Sequence, residues 1–210
     1  MGIAVLGPLQ VDGQVHGLSP RDRVVLSALV ASAGEAMTIG TLAEALWGDQ
    51  LPASWSKVVQ GCIVRLRKRL GAGAIESGAF GYRLALSDDE LDLRLFEHLV
   101  RRGRAALGED DPARASHLLV EALDLWRGPA LADLDDWEPA RAEVGRLDEM
   151  RLDAEELSVK AETESGHVLE VLGRARALVE RAPYRERRWA LLATALYQAG
   201  RQEEALGALK

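Results

Sequence analysis

The chain has 210 residues, 48% of them hydrophobic and 28% charged, with a formal net charge of −7. That composition suits a globular chain with room for one large domain or two of about 100 residues each. There is no apolar run of about 18 residues, no basic leader before the first apolar segment, and only one cysteine, Cys62, so neither a membrane span, a secretory signal nor a disulfide scaffold is expected, and a cytoplasmic protein is.

Residues 3–6 read as a strand broken by Gly7-Pro8. Residues 9–11 read as a second strand, with Asp12-Gly13 turning the chain into a return strand at 14–16. Ser19-Pro20 pairs an N-cap with proline at the first helical position. Val24, Val25, Ala28 and Leu29 give this helix an apolar face, and Ala33-Gly34 ends it. A second helix follows Thr38, buries Leu42, Ala45, Leu46 and Trp47, and stops at Gly48. A third spans about 53–70 and stops at Gly71. Residues 75–77 and 82–86 around a Gly-rich turn form a β-hairpin. The order of short sheet, three helices and hairpin is that of a winged helix-turn-helix.

Ser87-Asp88-Asp89-Glu90 is a polar break and marks the boundary between domains at 1–87 and 91–210. The first holds eight Lys/Arg against six Asp/Glu. From residue 88 onward 18 face 27, so the two halves suit different partners. Everything beyond the break reads helical: 92–107, 112–126, 137–165, 168–181, 185–199 and a last helix from Gln202. Gly128-Pro129 forces a loop over 127–136. Gly166 and Gly200 stand 34 residues apart, each between two helices, and Trp189, Leu192, Ala193, Leu196, Ala205 and Leu209 approach the tetratricopeptide pattern. A generic helical bundle is the plainer alternative. The fold class is therefore an α+β winged helix-turn-helix followed by an all-α, tetratricopeptide-like domain. That domain reads as truncated, stopping at Lys210 inside the second helix of a repeat.

The third helix carries the chemistry. At 100° per residue, Val59, Ile63, Leu66 and Leu70 lie within about 40° of one direction. Lys57, Gly61, Val64, Arg65 and Lys68 lie opposite, with Arg67 and Arg69 on the flanks. An apolar face opposed to a basic one suits a recognition helix in the major groove. Arg65 is the first candidate for a base edge, because a guanidinium can bond guanine O6 and N7 together. Lys57, Arg67 and Lys68 suit phosphates. Gln60 and Gly61 share the exposed surface, and Gly61 either permits close backbone approach or is incidental. Arg83 in the hairpin is a further contact, and Cys62 is a small core residue. The plainer reading is a solvated basic helix end.

Catalysis finds no support. His16, His98, His117 and His167 are scattered, Gly71-Ala72-Gly73-Ala74 lacks the lysine of a phosphate loop, and Asp133, Asp135 and Asp136 read as a solvated acidic loop rather than a cation site. Neither enzyme nor cofactor is expected.

A family resemblance rests on Val5-Leu6-Gly7-Pro8-Leu9, Leu46-Trp47-Gly48, the run Arg65-Leu66-Arg67-Lys68-Arg69-Leu70-Gly71 and Gly81-Tyr82-Arg83-Leu84. In the second half it rests on Leu125-Trp126-Arg127-Gly128-Pro129, Pro183-Tyr184-Arg185-Glu186 and Trp189. The chain resembles the Streptomyces antibiotic regulatory protein (SARP) family, which joins an OmpR-type winged helix to a bacterial transcriptional activator domain. The resemblance implies binding to promoter direct repeats by monomers set side by side, recruitment of RNA polymerase holoenzyme, and self-association on DNA. Family members continue further, some into a nucleotide-binding ATPase module. Gly61, Cys62 and Val64 depart from the polar residues more usual there, which leaves base readout to fewer side chains. The competing function is a protein-interaction module, a winged helix plus helical scaffold forming the N-terminal part of a larger regulator.

Overall fold

The computed structural model describes residues 2–134 and 137–209, which form two compact units. The first comprises Met1–Leu95 and Trp126–Asp148, the second Phe96–Leu125 and Glu149–Lys210.

The first unit opens on a minimal sheet, with β1 (Ile3–Ala4) antiparallel to β2 (Gln10–Val11). Asp12 and Gly13 both take positive φ, 52° and 74°, and Val11 and Gln14 exchange hydrogen bonds of 3.1 Å. This is the hairpin turn expected from Asp-Gly, but pairing ends at that one bridge and no return strand forms at 14–16. Val5 and Leu6 turn elsewhere. Their carbonyls accept from the Leu131 and Arg127 amides at 2.9 and 2.7 Å, and their own N–H groups donate to the Asp92 carboxylate at 2.7 and 3.1 Å. Gly7 fits this junction because a Cβ there would lie 2.9 Å from that of Arg127.

Asp92 thus satisfies two backbone donors that no strand partner reaches. Burial raises its carboxyl above the ordinary range, only partly offset by the Val5 and Leu6 amides and by Arg127 at 3.2 Å. Asp92→Ala should strand both N–H groups and cost about 2–3 kcal/mol, read as a lower urea midpoint. An unchanged midpoint would mean that water replaces the carboxylate.

Three helices follow. In α1 (Pro20–Ala31) the Ser19 hydroxyl accepts from the Asp22 amide at 3.3 Å, and from Val25 to Val30 every residue is buried. The helix is wrapped by α2 (Ile39–Trp47), α3 (Trp55–Leu70) and the hairpin, so it shows no single apolar stripe. Thr38 caps α2, its hydroxyl accepting from Thr41 N–H at 3.1 Å. Val59, Ile63, Leu66 and Leu70 face inward on α3, as their spacing requires. The hairpin pairs β3 (Ile75–Gly78) with β4 (Gly81–Leu84), Ile75 opposite Leu84.

In the second unit, the later parts of α4 (Asp92–Gly108) and α6 (Glu138–Glu164) join α5 (Pro112–Asp124), α7 (Val168–Arg181), α8 (Glu186–Gln198) and α9 (Gln202–Ala208). Val159, Val171, Ala175, Leu178, Leu192, Ala195 and Ala205 share one core. The 34-residue period is literal in the backbone. Gly166 and Gly200 adopt φ of 86° and 76°, and the amide just after each reaches back to the preceding helix, His167 to Glu162 at 3.0 Å and Arg201 to Leu196 at 2.9 Å. These are matching glycine-closed helix ends.

Residues 87–90 form a capped turn, with the Ser87 amide and hydroxyl donating to Glu90 at 3.1 and 2.7 Å. The first compact unit runs past this turn to Leu95 and also takes in Trp126–Asp148. Among the described residues, no helix is long and apolar enough to cross a membrane.

Candidate nucleic-acid interface

The buried face of α3 fixes what its other face presents. Lys57, Gln60, Val64 and Lys68 are exposed along one stripe and Gly61 is half-buried within it. Val64 is 65% exposed, an apolar group held in solvent one turn beyond Gln60. Among the described residues, neither Lys57 nor Lys68 has an ion-pair partner, so both cations are available to an outside anion.

The arginines are placed differently. Arg65 leans off the stripe toward α1, its Nε donating to both Asp22 carboxylate oxygens at 3.1 and 3.0 Å and its Nη2 to Oδ1 at 2.8 Å and to Cys62 Sγ at 3.2 Å. Asp22 is nearly inaccessible, at 4%, while the Arg65 side chain remains 53% exposed. Burial raises the Asp22 carboxyl, but hydrogen bonds from Arg65, Ser19 and Cys62 outweigh it and hold it below its ordinary value. Burial also pushes the Cys62 thiol up to about 11, so the cysteine stays a neutral core group, as expected. The expectation for Arg65 as the leading base reader does not match this arrangement, because the forked edge that would meet guanine faces a buried carboxylate.

Arg67 joins α3 to the hairpin. It donates to the Ile75 carbonyl at 2.8 Å and to Ser77 Oγ at 2.7 Å, and its guanidinium lies 5.9 Å from the Tyr82 ring centre. Arg83 pairs across the strands with Glu76. Arg69 lies 3.9 Å from Asp12. The structure therefore brings Lys57, Gln60, Gly61, Val64 and Lys68 onto one surface and spends Arg65, Arg67 and Arg83 on internal partners. Asp22 escaped the sequence reading because Ser19-Pro20-Arg21-Asp22 signals only a helix cap. The cap is real, with Ser19 Oγ donating to Asp22 at 2.7 Å, and the carboxylate serves Arg65 as well.

The hairpin is held beside α3 by Met37, whose N–H and carbonyl exchange bonds of 2.7 and 2.8 Å with Tyr82. Its tip carries Phe80, 80% exposed. An open groove of about 700 Å³ runs between the tip, the start of α2 and Gln60. Asp133, considered above as part of an acidic loop, pairs with Arg23 at 2.7 and 3.0 Å, and Asp135 and Asp136 lie outside the described residues. Among the described residues, no group of three His, Cys, Asp or Glu side chains is arranged to hold a metal.

Residues 91–210 match the family described as bacterial transcriptional activator domain, and residues 13–84 match transcriptional regulatory protein, C terminal. Regulatory protein AfsR of Streptomyces coelicolor is 36% identical over 206 residues, which is 96% of this chain and 21% of that protein. Transcriptional regulatory protein EmbR of Mycobacterium tuberculosis is 33% identical over 219 residues, 100% of this chain and 56% of that one. Regulatory protein DnrI of Streptomyces peucetius is 32% identical over 222 residues, 99% of this chain and 82% of that one. The chain thus spans a fifth of AfsR and just over half of EmbR. The solved structure of Mycobacterium tuberculosis EmbR in complex with a low-affinity phosphopeptide matches with a TM-score of 0.89 at 32% identity, covering 99% of this chain and 57% of that one.

Proposed function

Because the chain belongs to the SARP family of transcription regulators, we propose that it is a sequence-specific activator that lays α3 in the major groove of promoter DNA. The observation that carries this reading is the exposed stripe of α3, in which Gln60, Gly61 and Val64 are bracketed by Lys57 and Lys68, neither of them ion-paired among the described residues. Base-reading groups between two exposed cations fit a groove floor between two phosphate walls. The Arg67–Ser77 and Met37–Tyr82 bonds support the hairpin as a wing that follows the helix onto the duplex.

Binding to direct repeats by neighbouring monomers, and contact with RNA polymerase holoenzyme, complete the proposal, with the cytoplasm as the place of action. On this reading 1–87 is the DNA-binding domain and 91–210 the activator domain. An apolar groove of about 430 Å³ along α8 and α9, where Tyr197, Leu206 and Leu209 are exposed, supports protein contact by the second unit. The same groove is the observation that favours the competing interaction-module reading.

Selection of duplexes from a random pool decides between them. The activator should enrich a motif repeated at about one helical turn, whereas an interaction module should enrich none. Lys68→Ala should weaken all duplexes alike and lower the slope of log affinity against log salt by about one. A change in base preference instead would make Lys68 a base reader.

A further inference from the structure

Resting on the reading of α3 as a DNA reader, we infer that Gln60 and Val64 make its base contacts and select A·T pairs, while Asp22 locks Arg65 into the role of a phosphate anchor. Recognition of guanine by arginine needs two adjacent N–H groups presented to O6 and N7. In Arg65 those groups are occupied, Nε and Nη2 facing Asp22 and Cys62. Swinging them into a groove would leave a buried carboxylate unpaired. Only Nη1 remains outward, and it lies over Gly61, 3.3 Å from where a Cβ would stand. Gly61 is therefore the space in which the guanidinium rests, which accounts for a helix-weakening glycine at this position. A single outward nitrogen on a half-neutralised cation suits one phosphate oxygen.

What remains for base edges is defined by chemistry. The Gln60 amide matches adenine N6 and N7, and the exposed Val64 methyls match the thymine methyl. The two residues are one turn apart, about 6 Å along the axis, which spans about two base steps. No acidic residue occurs in α3 to accept from cytosine N4. The half-site is thus expected to hold adenine and thymine about two base steps apart under the middle of α3.

The test is random-pool selection on the full chain and on Gln60→Ala, Val64→Ala, Arg65→Ala and Asp22→Asn, followed by thymine-to-uracil replacement in the winning site. Gln60→Ala should lose about tenfold of its preference for adenine at one position. Uracil should weaken the parent several-fold at one position and leave Val64→Ala unaffected. Arg65→Ala should weaken all duplexes alike with the motif intact, and Asp22→Asn, by releasing the fork, should add a guanine preference. Gln60 and Val64 are exposed, so their variants test the inference without depending on the core. A motif unchanged in both of these variants, or a guanine preference erased by Arg65→Ala, overturns the inference and leaves DNA binding standing. Absence of any motif with the parent chain overturns both.

Discussion

Arg188→Ala is expected to lower the stability of the chain by about 4 kcal/mol. Arg188 is wholly inaccessible, as is its partner Glu156, with 2.9 Å between Nε and Oε1. Its Nη1 also donates to the Leu178 carbonyl at 2.7 Å. Alanine would leave that carbonyl without its donor and open a void among α6, α7 and α8. Glu156 would keep Arg185 at 3.1 Å and Arg187 at 3.7 Å, both partly in solvent. The penalty comes from breaking the pair rather than from its net worth. Replacing both members by apolar residues of similar volume should therefore recover most of the loss. Urea unfolding followed by circular dichroism reads both results. A double variant no more stable than Arg188→Ala would show that the pair itself, not its rupture, holds the helices.

Gly81→Ala is expected to detach the wing at a cost of about 3 kcal/mol, combining backbone strain with lost hydrogen bonds. Gly81 has φ of 121°, and an added Cβ would fall 2.6 Å from the Met37 carbonyl carbon and 2.9 Å from Thr38 Cα. These neighbours are backbone and cannot swing aside. The strand must move, and the paired bonds between Met37 and Tyr82 go with it. Amide exchange checks this directly, because Met37 and Tyr82 should lose protection while the α1 core from Val25 to Val30 keeps it. Equal loss throughout would mean that the hairpin and helices form a single cooperative block. On the proposed function the same substitution also weakens DNA binding, since the wing no longer flanks α3.

Local pattern made much of this molecule readable. The four apolar residues of α3 announce its buried side, Ser19 and Thr38 announce helix starts, and the Gly166–Gly200 interval announces the repeat. What stayed hidden depends on partners distant in sequence. Val5 and Leu6 look like strand, but the strand ends at Ala4 and the groups they bond come from Asp92, Arg127 and Leu131. Arg188 sits in a charged stretch that reads as surface, and only the approach of α6 buries it. Arg65 illustrates the limit at the candidate site. Periodicity places its Cα opposite the core correctly, but a long side chain can reach sideways, and Asp22 on another helix decides where its donors point.

The stitching of Leu6 and Pro8 to Arg127 also governs when the molecule can fold. The Arg127 guanidinium and the Pro8 carbonyl are 119 residues apart and 2.9 Å distant. Closing a loop of that length costs on the order of 4 kcal/mol of chain entropy, and contacts so remote in sequence slow folding. During synthesis the Val5 and Leu6 carbonyls must wait, without these donors, until the ribosome has released the chain beyond Leu131. The winged helix is therefore encoded first and completed late, and a stall in translation between Asp92 and Arg127 would expose its N-terminal edge for the duration of the pause.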